Sequence, residues 1–194
     1  MSVCEGLALS RLAKIAPAGT CVECGTHSGK SAVAIASGLK HTLLLHLIDP
    51  DFKATWSAIN GLVGRACDFN LSANQIPASS TDALSVLFSE YGDFAFVFLD
   101  SGDHTYELCR AECNIVAPRM VKGGIIAFHD YNSQFTGVEK CYNELLETGE
   151  FKEIVIPWKD IEAKVIADKL EEGNVTYHHP ELANPMFLGA LLKL

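Results

Sequence analysis

No stretch of the 194-residue chain holds the ~20 consecutive apolar residues that a membrane-spanning helix requires. The opening segment, MSVCEGLALSRLAKIAP, lacks a basic start followed by an apolar block, so it does not read as a signal peptide. Basic residues are scarce: 15 Lys and Arg stand against 24 Asp and Glu, for a formal charge of −9. They form no cluster. A protein that grips a phosphate backbone displays a basic patch, so nucleic acid is not the expected partner, and neither is a membrane. A small neutral or cationic molecule suits this balance better. There is no internal repeat, low-complexity tract or linker, and the chain reads as one domain, 1–194. The cysteines number seven: Cys4, Cys21, Cys24, Cys67, Cys109, Cys113 and Cys141. An odd, scattered set suits reduced thiols in a cytoplasmic protein. Cys21 and Cys24 form a C-x-x-C without the second pair that a zinc site needs. Cys109 and Cys113, at i and i+4 of a predicted helix, read as packing.

What the chain does contain is an alternation of helical and extended segments. Residues 5–16 carry Leu7, Leu9, Leu12 and Ile15 at helical spacing, ended by Pro17 and Gly19. Strands are predicted at 20–24, 41–49, 71–76, 94–100 and 123–130, the last after a glycine turn. Helices are predicted at 29–39, 51–63, 81–90, 105–117 and 136–148. Strands that are apolar throughout and separated by helices indicate an α/β fold: a doubly wound, mostly parallel sheet with helices on both faces. FKEIVIPW (151–158) and MFLGALLKL (186–194) read as two further strands. Between them, residues 158–185 include a helix with Ile161, Val165, Ile166 and Leu170 on one side. A connection of that length reads as an insertion, lid or interface segment.

In such a sheet the ligand sits beyond the carboxyl ends of the strands. Three predicted strands end in acids, Asp49, Asp100 and Asp130, and Glu23 stands near the end of the first. VECGTHSGKS (22–31) follows that first strand and opens a helix. Gly25 and Gly29 permit a sharp turn, and the helix start offers free N–H groups to an anionic ligand. The ending GKS invites comparison with a phosphate-binding P-loop. However, Cys24 stands where its first glycine belongs, and Gly25 leaves one residue too few. The dinucleotide pattern G-x-G-x-x-G is also absent. Asp49, about 20 residues beyond the loop, is where an acid accepts both hydroxyls of a ribose; in D-P-D it also stands where a helix could be capped.

These pieces together resemble a known family. E-x-G-x-x-x-G-x-S at 23–31 and LIDPD at 47–51 look like the first two motifs of class I methyltransferases that use S-adenosylmethionine (SAM). FLDSGDHTYELCRAE (98–112) and VKGGIIAFHDY (121–131) are similar to the branch with D-G-D-H-x-Y and G-G-x-x-x-x-H-D-Y motifs. That branch is related to metal-dependent small-molecule O-methyltransferases. Ser101 replaces the branch's glycine, and Ala78 precedes Ser79 where members often carry an acid. The resemblance implies a seven-stranded sheet closed by a C-terminal antiparallel hairpin. It implies that Glu23, Gly25 and Gly29, with Thr26 and Ser31, hold the methionine end of SAM. Asp49 would hold the ribose, Ser79 and Ser80 would lie near the adenine, and Asp100 completes the cofactor set.

Methyl transfer is an in-line displacement, and a hydroxyl acceptor must lose a proton or have its pKa lowered by a metal. Asp100, His129 and Asp130 fall where the related enzymes place metal ligands, and their mixed donors leave the ion open, Mg²⁺ or Mn²⁺ among the choices. His104 is the first candidate general base, because an imidazole titrates near neutrality, and Asp103 is the second. The same two residues also stand where a helix beginning near Thr105 could be capped. The reading is a SAM-dependent methyltransferase acting on an oxygen of a small molecule of sugar or polyphenol type, and a homo-oligomer is compatible with it. The alternatives are an adenosyl-binding relative with other or no chemistry, and a P-loop nucleotide hydrolase.

Overall fold

The structure, a computed structural model, describes residues 1–42, 44–66, 71–171 and 187–194. Cys67, the side chains of Ile166 and Leu170, and residues 172–185 of the long connection lie outside the described part.

In chain order the elements are α1 (Val3–Ile15), β1 (Thr20–Cys24), α2 (Lys30–Gly38), β2 (Leu44–Ile48), α3 (Trp56–Ala66), β3 (Ser72–Ile76) and α4 (Ser80–Tyr91). They continue as β4 (Phe94–Leu99), α5 (Tyr106–Val116), β5 (Met120–His129), α6 (Thr136–Glu147), β6 (Phe151–Glu153), α7 (Trp158–Glu171) and β7 (Leu188–Lys193). One seven-stranded sheet runs in the order β3-β2-β1-β4-β5-β7-β6. β1 to β5 are mutually parallel, and β7 enters antiparallel between β5 and β6. This is the doubly wound sheet with a C-terminal antiparallel hairpin that the sequence implied.

β1 and β4 are buried at every position. Both faces of a parallel sheet are covered, so its central strands carry no polar alternation. Their side chains still point to alternate faces. Phe96 and Phe98 join the core shared with α1, α2, α3 and α7, while Val97 and Leu99 join the one shared with α4, α5 and α6. Ile161 and Val165 of α7 are buried in the first of these cores, as the predicted apolar side of that helix requires.

Several elements differ in extent from the expectation: β2 is Leu44–Ile48 rather than 41–49, and α3 is Trp56–Ala66 rather than 51–63. β5 starts at Met120 rather than after the glycines, because Met120 already pairs with Phe94; the register then shifts before Phe96 pairs with Ile125. Gly123, at φ +79°, sits inside the strand and absorbs that irregularity. β6 stops at Glu153 rather than running to residue 158. Its last contact with β7 is the Ile154 N–H donating to the Ala190 carbonyl at 2.9 Å.

His46, which had no partner in the sequence, is buried in β2. Asn74 reaches its Nδ1 at 3.2 Å and the Tyr91 ring lies 4.5 Å away. Burial pushes this imidazole down to about 4, so it is a neutral core residue.

Candidate functional site

β1 and β4 are neighbours, but the chain leaves β1 towards β2 on one side and β4 towards β5 on the other. Such a switch in winding opens a crevice beyond the carboxyl ends of the strands. Gly25 lies at its base with φ +88°, and a Cβ there would sit 2.0 Å from the Asp100 carbonyl oxygen. Only glycine lets the first loop press this closely on the end of β4. The Asp100 N–H fastens the contact by donating to the Cys24 carbonyl at 2.9 Å, and on the other side the Gly25 N–H ties the loop to β2 by donating to the Ile48 carbonyl at 2.8 Å. Gly29, also left-handed at φ +83°, begins α2.

A cleft of about 570 Å³ opens here, within the usual range for small-molecule sites. Gly25, His27, Asp49, Ser79, Ser80 and the run from Asp100 to His104 are among its walls. Lys30, the lysine of the P-loop comparison, is exposed and is not part of the cleft wall.

Glu23 is wholly buried beneath the loop rather than in the cleft wall. The Thr26 hydroxyl donates to its Oε2 at 2.9 Å, and Oε1 meets no hydrogen-bond partner among the described residues. Burial pushes its carboxyl up to about 8, against the opposing pull of the Ser31 and Thr26 hydroxyls and helped by the charges of Asp100 and Asp49. Thr26 and Ser31 are themselves buried. Asp49 stands at the lip of the cleft and accepts the backbone N–H groups of His27 and Asp51, each at 2.7 Å. It caps no helix, since α3 begins only at Trp56.

Ser79 and Ser80 divide their tasks. Ser79 is the N-cap of α4: its hydroxyl accepts the Asp82 N–H at 3.3 Å and donates to the Asp82 carboxylate at 2.7 Å. Ser80 is buried, with Glu112 of α5 close to its hydroxyl.

Beside the cleft, Asp100, His104, His129 and Asp130 come together. His129 Nδ1 lies 3.2 Å from Asp100 Oδ1 and 3.0 Å from Asp130 Oδ2, and His104 Nδ1 lies 3.0 Å from the same Asp130 oxygen. Burial would push the His129 imidazole down, but the two carboxylates together override it and push it up to about 10. Burial would likewise raise Asp130, yet His129 and His104 hold it below its ordinary value. The His104 ring packs on Phe135, centroids 4.5 Å apart. His104 and Asp130 are left-handed at φ +46° and +60°, a cost that non-glycine residues bear mostly at functional sites. Asp103 is exposed at the mouth of the cleft. Neither it nor His104 caps α5; the Thr105 hydroxyl does, accepting the Leu108 N–H at 3.3 Å.

Two acids of this region carried no functional signal in the sequence. Glu5 of α1 is the distal member of a capping box with Ser2. Its carboxylate also accepts the Phe187 N–H at 3.0 Å and lies 3.9 Å from His129 Nε2. Burial would raise it, but the Ser2 and Phe187 N–H groups and His129 hold it below its ordinary value. Glu112 is the other; it accepts the Ser101 hydroxyl at 2.5 Å. The C-x-x-C is inert: Cys21 and Cys24 are fully buried, and burial pushes Cys21 up to about 11. The six cysteines among the described residues are all buried.

The profile of a family described as "Methyltransferase domain" matches residues 22–131. No curated protein matches the sequence. Several solved structures share the fold. An O-methyltransferase from Bacillus cereus in complex with SAH, the demethylated product of SAM, is 16% identical with a TM-score of 0.67, covering 100% of this chain and 82% of that one. The O-methyltransferase TomG from Streptomyces achromogenes, involved in tomaymycin synthesis and solved with SAM, is 15% identical with a TM-score of 0.66, covering 100% and 81%. An rRNA methylase from Streptococcus thermophilus is 14% identical with a TM-score of 0.62, covering 96% and 94%. At these identities the likeness is one of fold.

Proposed function

The chain belongs to the methyltransferase-domain family, and from that premise we propose that it is a SAM-dependent methyltransferase acting on an oxygen of a small molecule of sugar or polyphenol type. One observation carries this reading: Asp100 and His104 line the cleft at the switch point, and His129 and Asp130 lie within about 3 Å of them. A cofactor held in that cleft would meet an acceptor beside groups able to move a proton.

SAM supplies an electrophilic methyl group on a sulfonium. The chain's own residues supply the rest. Glu23, Thr26 and Ser31 shape the loop from Gly25 to Gly29 for the amino-acid end, and Asp49 takes the ribose hydroxyls. Ser79 and Ser80, both in the cleft wall, stand at the adenine end. Asp130 faces His104 Nδ1, which holds a proton there and leaves Nε2 with a lone pair. His104 is thus oriented to take the acceptor's hydroxyl proton, with Asp103 at the rim as the lesser candidate.

Asp100, His129 and Asp130 offer one nitrogen and two oxygens within 4.8 Å of one another. Nδ1 lies 3.0–3.2 Å from both carboxylate oxygens, about the spacing of adjacent ligands around an ion with bonds near 2.1 Å. The set fits a divalent cation, Mg²⁺ or Mn²⁺, and its imidazole favours Mn²⁺. Such an ion would lower the pKa of a bound hydroxyl.

Calorimetry with SAH and with ATP tests the first step. SAH should bind and ATP should not; ATP binding alone would end the methyltransferase reading. Transfer of a labelled methyl group from SAM to a panel of sugars and polyphenols tests the second, with and without chelator. SAH binding without transfer to any acceptor would point to a binding-only relative. Equal rates with and without chelator would remove the metal.

A further inference from the structure

Glu112 lies in the middle of α5 and is 2% exposed, and methyl transfer assigns it no task. A buried carboxyl is costly unless its oxygens are hydrogen-bonded, and an apolar residue would pack in its place. What an apolar residue could not do is hold two hydroxyls. Glu112 accepts the Ser101 hydroxyl at 2.5 Å, and the Ser80 hydroxyl lies close to the same carboxyl and favours its charged form. Ser101 belongs to the loop after β4, and Ser80 opens α4. Both residues line the cleft, so two walls from separate elements are joined behind the surface through one side chain. The carboxyl also borders a void of about 10 Å³ shared with Asp100, His104 and His129.

We propose that Glu112 is a positioning residue of the cleft: it fixes the spacing of Ser101 and Ser80, and with it the slot that receives the adenosine end of SAM. The inference rests on the cofactor reading above. Glutamine has the same shape; its oxygen can accept from Ser101 and its amide can donate to Ser80. Leucine fills the space and holds neither.

The test uses the full chain, with SAH and 5′-methylthioadenosine as calorimetric probes and amide hydrogen exchange as a ligand-free measure. Glu112→Gln should bind both within about threefold of the parent. Glu112→Leu should weaken both by about tenfold, the scale of one or two lost hydrogen bonds. The equal loss for the ligand that lacks the amino-acid end would place the effect at the adenosine. Exchange at 101–104 should quicken in Glu112→Leu and stay parental in Glu112→Gln. The Ser101→Ala/Glu112→Leu double variant should lose less than the product of its parts. Parental affinity in Glu112→Leu, or a Glu112→Gln as weak as the leucine variant, would overturn the proposal. If Glu112→Leu does not fold, Ser101→Ala decides instead: parental affinity there overturns the proposal, and a loss that Glu112→Gln does not deepen supports it. If the parent binds neither probe, the cofactor reading falls, and exchange alone judges the strut: unchanged rates in Glu112→Leu overturn it.

Discussion

Replacing Glu23 with glutamine should change how stability depends on pH. The side chain is fully buried, and burial lifts its carboxyl from an ordinary value of 4.5 to about 8. Between these values the folded protein keeps a proton that the unfolded chain has released. The folded pKa is the higher one, so the stabilising contribution is fully present below 4.5 and is lost as pH rises through about 8. The slope is about 1.4 kcal/mol per pH unit. From pH 5.5 to 7.5 this amounts to about 2–3 kcal/mol. Glutamine carries no titrating proton, and every other group is shared, so subtracting parent from variant isolates Glu23. Urea unfolding of both proteins at the two pH values makes the measurement. Glu23→Gln should gain about 2–3 kcal/mol on the parent between pH 5.5 and 7.5. A difference that stays constant with pH would refute the reasoning, for it would mean that Glu23 is ionised in the folded protein. A second consequence follows for the ligand. A cationic group drawn towards this carboxyl draws its proton off, so SAM binding near pH 7 should release a proton. Calorimetry in buffers of different ionisation heat would register it, and Glu23→Gln should abolish it.

Gly25→Ala should cost about 2–4 kcal/mol of stability, because the new methyl would collide with the Asp100 carbonyl and the left-handed backbone adds strain; a parental melting temperature would separate the loop from the end of β4. Asp49→Ala should weaken SAH binding by about 1–3 kcal/mol, measured by calorimetry, from loss of charged hydrogen bonds; unchanged affinity would remove its ribose role. His104→Ala should lower kcat by about 10²- to 10⁴-fold while SAH affinity stays parental; a matching loss of affinity would place it in cofactor binding instead.

The strands were legible because a parallel strand covered on both faces is apolar at every position, as FAFVFL is, and no solvent-facing polar residue interrupts it. The acids were legible for the complementary reason. Where the strand leaves the core the chain is free to be polar again, so Asp49, Asp100 and Asp130 mark the exits in plain sequence. The glycines of the first loop announced themselves through their spacing. Less legible was the start of β5, where two glycines that read as a turn lie within the strand, since pairing with Phe94 outweighs local turn preference. Ser79 and Thr105 proved to be caps, and that was decided by where the first helical turn falls, a boundary that sequence locates only loosely.

The sequence by itself determined the order of elements, the doubly wound sheet and the rim of carboxylates, because each is written in residues close together along the chain. Tertiary structure alone decided the partnerships across distance. It set Glu5 of the first helix against His129 and the segment entering β7, buried Glu112 behind two walls of the cleft, and gave His46 its Asn74. Hydrogen bonds and ion pairs form between groups that packing brings within about 3–4 Å, and no local pattern in the chain records which distant groups those will be.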